Sequence, residues 1–382
     1  MGKEGRSVMS KHLVFVGGGH AHLTALLNLK DFRDCGARVT LINPSPYHYY
    51  SGMGPGMLSG MYRPQEIRFH VKKMVQDRGA SFIEDNVTRI NPETRSLLLK
   101  SGESVHYDLV SFNTGSDVPA AGEGVSGENI YTVKPIVNLL KARQYILENI
   151  LKRPLHACVI GGGPAGVELS GNIWRVMKDN EGDAKITLVA GTRILKNAPE
   201  KVRSLALRSL GDRNIAVMEG RHVKGCANGN IVFDDGFIIP FDVAFLATGV
   251  SPSSPFRESG LPTGDDGGLL VNEYLQSVRY PELFGGGDCI SLRQHRLPKV
   301  GVYAVRENPV LHHNLRVTLG GRSDLITFTP QKDYLLILNM GNGRGIAWRK
   351  HFVWEGRLAF MLKDSLDRRF MRKFQVSGEL HE

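Results

Sequence analysis

A chain of 382 residues, 41% hydrophobic and 23% charged, is long enough for two globular domains and a small addition. Its longest apolar runs stop short of the ~20 residues of a membrane span, and its net charge of +10 favours anionic partners. No basic stripe interleaved with aromatics is present, so nucleic acid ranks last among them, and the widely spaced Cys35, Cys158, Cys226 and Cys289 form neither a zinc knuckle, a metal site nor a redox dithiol.

The start, residues 1–11, is polar and lacks the apolar stretch of a secretory signal, so a reducing cytoplasm is the expected setting. Residues 13–16 read as a buried strand. Gly17-Gly18-Gly19-His20-Ala21-His22 follows, and then Leu23, Ala25, Leu26, Leu27 and Leu29 begin a helix. Strand, glycine turn and helix open a dinucleotide-binding unit. Gly17 permits the tight turn, and Gly19 lets the backbone approach a pyrophosphate at the helix N-terminus. The fingerprint is imperfect, because His22 holds the third glycine's place, and alone it stands level with an ordinary strand-to-helix turn. His20 falls either near the phosphates or at a helix start with no special role.

A second strand, residues 37–42, ends at Asn43, where such a unit places the acid that holds a ribose hydroxyl. An amide bonds the same hydroxyl without charge assistance. Residues 47–57, rich in glycine and aromatics, form a loop that either lines a flat ring system or merely connects. A short helix lies between strands at 67–71 and 80–83, and residues 97–99 and 105–107 pair as a hairpin. The apolar strand 107–112 closes in Asn113-Thr114-Gly115. That ending puts a hydroxyl and a glycine backbone at the carboxyl edge of the sheet, where ligands of doubly wound folds sit. A helix spans residues 135–152.

The fingerprint then returns complete, with Gly161, Gly163 and Gly166 in place and Pro164 suited to a first helical turn. The following strand, 185–189, ends at Ala190, where an NAD-specific unit carries an acid. With Arg193 nearby there is room for a 2′-phosphate, so NADH and NADPH both stay open. A hairpin of residues 231–233 and 237–239 turns on Asp-Gly, and the next apolar strand ends in Ala247-Thr248-Gly249. Fingerprint, hairpin and Thr-Gly ending thus occur twice. Two such modules imply an α/β fold and two dinucleotides. Farther on, Gly285-Gly286-Gly287-Asp288 brings a carboxylate close to a ligand through glycines that permit the approach, or is a glycine turn with a solvated aspartate.

Residues 334–338 and 345–348 form a last hairpin. After it Trp354, Leu358, Met361, Leu362, Leu366, Phe370, Met371 and Phe374 mark one helical face, and Arg357, Lys363, Arg368, Arg369, Arg372 and Lys373 the other. This basic amphipathic stretch suits an anionic membrane surface, the protein's own body or a homodimer interface.

On both fingerprints, both Thr-Gly strands and Gly287-Asp288-Cys289, the chain resembles the two-dinucleotide-binding-domain flavoproteins of the pyridine nucleotide-disulfide oxidoreductase superfamily. Within them it looks most like type II NADH dehydrogenases, and most closely like the FAD-containing module found alone or fused to selenide, water dikinase. Residues 17–23, Tyr50-Ser51-Gly52-Met53, Val133-Lys134-Pro135, residues 298–306, Pro330-Gln331-Lys332 and residues 363–371 carry that second likeness. It accounts for His22, since that module has histidine where others have glycine.

The resemblance implies a glutathione-reductase-like fold of two Rossmann-like domains. Residues 1–120 and 265–328 would bind FAD, residues 121–264 NADH or NADPH, and residues 329–382 would form a C-terminal segment. Hydride would pass from the nicotinamide to FAD and on to a small-molecule acceptor of quinone type, in the cytoplasm or peripherally on the inner face of the cell membrane. Gly17, Gly19, His20 and Ala21 would cradle the FAD pyrophosphate, Asn43 its ribose, Thr114, Gly115 and Gly287 its remaining edge, and Asp288 its ribityl chain. Gly161, Gly163, Gly166, Arg193, Thr248 and Gly249 would hold the nicotinamide dinucleotide. Glu168 would point towards the ring junction, or is a first-turn glutamate favoured by the helix dipole. Lys134 and Lys299 would stabilise negative charge on the reduced flavin, or lie at the surface.

Two departures matter. Where type II dehydrogenases carry glutamines beside the quinone, this chain has Tyr303-Ala304-Val305-Arg306-Glu307-Asn308. Sulfide:quinone oxidoreductases need paired redox cysteines, whereas no cysteine follows Cys289 and Cys158 lies in a strand, so both read as buried, inert thiols. A sulfur- or selenium-handling flavin reductase with a non-quinone acceptor, and an FAD-binding redox-signalling protein, stand as alternatives.

Overall fold

The computed structural model describes residues 10–119, 125, 127–253 and 255–382. Most of the polar start and the expected domain boundary at 120/121 lie outside the described residues. The chain divides into two compact units. The first runs up to His48 and adds His70–Ser116 and Ser251–Pro330; the second comprises Tyr49–Phe69, Asp117–Val250 and Gln331–Glu382.

The first unit is built on a five-stranded sheet in the order Leu283–Gly285, Leu109–Phe112, His12–Val16, Arg38–Asn43, Ser81–Glu84. Every neighbouring pair is parallel. His12–Val16 and Leu109–Phe112 are buried along their whole length, as the continuous apolar runs of a parallel sheet require. Sequence order reverses between these two strands. Their carboxyl ends therefore flank the crevice where open α/β sheets bind ligands. An antiparallel sheet of Val87–Asn91, Ser96–Leu99 and Ser104–His106 completes the hairpin region.

The second unit repeats the plan. Its parallel sheet has the order Ile130–Thr132, Val243–Leu246, Leu155–Ile160, Ala184–Ala190, Ala216–Glu219, and its antiparallel sheet is Val223–Ala227, Asn230–Phe233 and Ile238–Pro240. The repeat reaches side chains that the motifs do not mark. His12 donates its N–H to Asp108 Oδ2 at 2.6 Å, and its Nε2 lies 2.8 Å from Thr40 Oγ1. His156 donates to Asp242 Oδ2 at 2.7 Å, and its Nε2 lies 2.9 Å from Thr187 Oγ1. Each trio ties three neighbouring strands together, away from the glycine turns.

Three expectations need correction. Residues 51–58 are helical, as a 3-10 turn Ser51–Met53 and the helix Gly54–Leu58, not a loop. The glycines make this possible by bringing bare backbone against neighbours: a Cβ on Gly56 would lie 2.4 Å from the Tyr62 ring, and one on Gly54 3.2 Å from Ile136. Trp354 belongs to a third C-terminal strand, Phe352–Gly356, paired with Gly345–Arg349, and the last helix begins only at Arg357. The apolar residues of that helix, Arg357–Phe374, divide between two faces. Ala359, Met371 and Phe374 are buried, while Leu358, Met361, Leu362 and Leu366 are exposed; Lys363 turns inward with the buried set.

Candidate functional site

In the first unit the glycine turn after His12–Val16 is braced by two asparagines. Gly17 adopts φ +88°, and a Cβ there would lie 2.3 Å from the Asn113 carbonyl oxygen. A Cβ on Gly19 would lie 2.3 Å from Asn113 Oδ1. Asn113 Oδ1 accepts the Ala21 N–H at 2.9 Å, and its Nδ2 donates to the Gly286 carbonyl at 2.6 Å. Asn43 Oδ1 accepts the Gly18 N–H at 2.8 Å, and its Nδ2 donates to the Ser45 carbonyl at 2.6 Å. The Asn43 amide thus braces the turn itself. His20 Nδ1 lies 3.3 Å from His48 Nε2.

At the facing strand end, Thr114 Oγ1 accepts from Ser253 Oγ at 2.8 Å, and Gly115, at φ +78°, has open space where a Cβ would stand. Asp288 Oδ2 accepts from Ser116 Oγ at 2.7 Å. The Gly287 N–H beside it goes to Glu307, a buried carboxyl of the helix Gly301–Leu319. Burial pushes the Glu307 pKa up to about 7 and Asp288 adds to it, against the Gly287 N–H and Lys299, which lower it. Lys299 donates to the Ile290 carbonyl at 2.5 Å and pairs with Asp266 at 2.8 Å, so its charge is matched within the unit. Asp266, Asp288, Lys299, Tyr303 and Glu307 line one pocket of about 340 Å³.

In the second unit the three fingerprint glycines are each explained by space. A Cβ on Gly161 would lie 2.1 Å from the Ala247 carbonyl oxygen, and one on Gly166 would lie 1.8 Å from that of Gly161. Gly163 meets nothing within 4 Å. The helix Pro164–Asp179 thus packs hard on the turn, and its unpaired first-turn N–H groups open onto free space beside Gly163. The second cradle fits a dinucleotide pyrophosphate on this ground, and in the first the bare backbone of Gly17 and Gly19 is what lets the turn close against Asn113. Gly249, at φ +109°, likewise leaves open space beside Thr248. Arg193 is paired with Glu200, which a 2′-phosphate would have to displace. Lys134 accepts at its carbonyl from Thr132 Oγ1 at 2.6 Å, and its charge lowers the Asp117 pKa against the burial that raises it.

Glu168 is the centre of a buried polar cluster that motif reading missed. Its Oε1 accepts the Asn339 N–H at 2.7 Å. Lys363 donates to the Gly52 carbonyl at 2.6 Å and to Asp367 Oδ2 at 2.7 Å, and Tyr50 donates to Asp367 Oδ1 at 2.9 Å. Residues 50–53 and 363–371, two of the stretches that carry the family likeness, therefore meet here. Glu168 is partly exposed as a residue, yet its carboxyl is closely surrounded. Burial pushes its pKa up to about 7, while Lys363 and the Asn339 N–H pull it down and Asp367 pushes it up. Burial lowers the Lys363 pKa, but Asp367 and Glu168 outweigh that and leave it raised. A carboxyl titrating near neutrality beside a fixed ammonium can hold and release a proton at working pH. The i, i+4 spacing of Lys363 and Asp367 is the one sequence signal that could have drawn attention to the cluster.

The three buried thiols are unreactive by environment, while Cys35 is exposed. Burial raises Cys158 to about 12 and Cys226 and Cys289 to about 11. Among the described residues, no group of three or more His, Cys, Asp or Glu is placed to hold a metal ion, and no helix is long and apolar enough to cross a membrane.

The family model described as pyridine nucleotide-disulphide oxidoreductase matches residues 11–308. The chain is 27% identical to ferroptosis suppressor protein 1 of Xenopus tropicalis, over 88% of each chain. It is also 27% identical to the mitochondrial internal alternative NAD(P)H-ubiquinone oxidoreductase A1 of Arabidopsis thaliana, over 58% of this chain and 48% of that one. Among solved structures, NDH2 from Plasmodium falciparum in complex with NADH superimposes with a TM-score of 0.82 at 16% identity, covering 97% of this chain and 98% of that one. The sulfide:quinone oxidoreductase from Aquifex aeolicus gives 0.79 at 18% identity, covering 96% and 92%. These likenesses carry the fold.

Proposed function

Because the chain belongs to the pyridine nucleotide-disulphide oxidoreductase family, we propose that it is an FAD-dependent NAD(P)H dehydrogenase whose electrons go to a quinone. The observation that carries this reading is that both glycine cradles are retained, each with backbone placed where no Cβ fits. FAD, when bound, supplies the relay chemistry, taking hydride from the nicotinamide and giving electrons to the acceptor. The chain's own groups bind and orient. Gly19 lets the backbone approach the FAD pyrophosphate, and Gly17, Ala21, Asn43 and Asn113 keep that turn in shape. Thr114, Gly115, Gly287 and Asp288 form the facing edge. Gly161, Gly163 and Gly166 hold the nicotinamide dinucleotide, with Thr248 and Gly249 opposite. Glu168, favoured in its protonated form by burial, holds the proton that reduction of a quinone consumes, and Lys363 favours its release.

The exposed ridge of the last helix fits the same reading. Leu358 and Met361 are 76% and 60% exposed, and Arg357, Arg369 and Arg372 stand beside the ridge. An apolar ridge rimmed by arginines suits an anionic membrane surface, where quinones reside. The relatives named as NAD(P)H-ubiquinone oxidoreductases and the raised thiols support a quinone over a sulfur acceptor.

The test is oxidation of NADH and of NADPH by the purified yellow protein with a short-chain ubiquinone, quantifying the quinol. Stoichiometric quinol supports the reading. Turnover with dioxygen or disulfides but not with quinones contradicts the acceptor.

A further inference from the structure

We propose that His22 is the positioning residue of the first cradle, and that its ring does there what the third glycine does in the second. This rests on the reading of the first fingerprint as the FAD site.

His22 and Gly166 occupy the same place, five residues after Gly17 and Gly161. In the second unit a Cβ on Gly166 would lie 1.8 Å from the Gly161 carbonyl oxygen, so helix backbone rests directly on the turn. In the first unit the Gly17 carbonyl accepts instead from a side chain, with His22 Nδ1 at 2.6 Å. Nε2 lies 2.8 Å from Ser111 Oγ on the strand Leu109–Phe112. A carbonyl oxygen only accepts, so the proton is on Nδ1. The neutral ring then accepts the Ser111 hydroxyl proton at Nε2. His22 and Ser111 are both fully buried, and the ring packs edge-on to Phe15 at 4.8 Å between centroids. Burial lowers the His22 pKa to about 4, against the Gly17 carbonyl that raises it, so one tautomer persists at working pH.

The ring thus joins the glycine turn to the strand whose end carries Asn113, and Asn113 in turn grips Ala21 and Gly286. Replacing His22 with glycine restores the motif but orphans two buried polar groups, the Gly17 carbonyl and the Ser111 hydroxyl. Judged by motif alone, H22G should improve the cradle. The geometry says that it weakens it.

The test compares wild type, H22G, H22N and S111A. The readouts are FAD dissociation constant, visible flavin spectrum, NADH affinity, and thermal midpoint with and without added FAD. H22G is expected to weaken FAD binding about tenfold or more, the scale of one orphaned buried group. It should also shrink the gain in midpoint that FAD confers and leave NADH binding at the second cradle unchanged. H22N keeps a donor towards Gly17 and S111A keeps the ring, so both should lie between. FAD affinity of H22G equal to or above wild type overturns the proposal. If H22G does not fold, an unchanged FAD dissociation constant in S111A and H22N overturns it. A wild-type protein that binds no FAD refutes the reading of the first fingerprint instead.

Discussion

Asn339 donates its backbone N–H to Glu168 Oε1 at 2.7 Å, and so ties the fingerprint helix of the second unit to the first strand of the C-terminal sheet. Burial raises the Glu168 pKa to about 7, while Lys363 and this contact pull it down. The pH dependence of kcat should therefore show a limb near neutrality that E168Q abolishes. E168Q should keep FAD and lose about a hundredfold in kcat, the scale of a general acid–base group. K363M removes the cation that stabilises the carboxylate, so its limb should move to higher pH. Stopped-flow and steady-state profiles from pH 5 to 9 check both.

Glu307 makes stability depend on pH in one direction. Its pKa in the fold, about 7, lies above the ordinary 4.5, so the fold prefers the protonated carboxyl. The stability it contributes is fully present below about pH 4.5 and is lost as pH rises through about 7. The difference is worth about 3 kcal/mol across that window. E307Q keeps an acceptor for the Gly287 N–H and removes the titration. Its thermal midpoint should fall less than that of wild type between pH 5 and 8, by several degrees.

Nucleotide choice should follow the Arg193–Glu200 pair. E200A leaves Arg193 without that partner and should lower KM for NADPH about tenfold, the scale of a charge-assisted hydrogen bond, with little change for NADH. R193A should do the reverse for NADPH. Initial-rate measurements with both nucleotides check this.

Membrane attachment should map to one ridge. L358E/M361E should abolish co-sedimentation with phosphatidylglycerol-containing vesicles. R369A/R372A should weaken it about thirtyfold, at about 1 kcal/mol per basic residue, in a salt-sensitive way. Turnover with a water-soluble quinone should be preserved in both.

Sheets and glycine turns are legible in the sequence because parallel strands read as unbroken apolar runs and because a tight turn tolerates few residues besides glycine. Gly161 and Gly166 announce themselves in this way. The braces do not. Asn43, read as a ribose ligand, also holds the turn; His22 reads as a defect but bonds two buried groups; Lys363 reads as a surface charge but is turned inward against Asp367. Each of these depends on a partner between about 25 and 90 residues away or on the rotation of a helix, and local patterns carry neither. The helix Gly54–Leu58 escaped for a related reason, since its glycines oppose helix by propensity and favour it by packing.

The most direct test of the account is an anaerobic titration of the purified protein, following flavin absorbance as NADH or NADPH is added and then a short-chain quinone. Rapid bleaching by a nicotinamide dinucleotide and full recovery of the yellow colour with one equivalent of quinone are expected. A flavin that bleaches and is not reoxidised by quinone contradicts the acceptor, and a protein with no flavin spectrum contradicts the account as a whole.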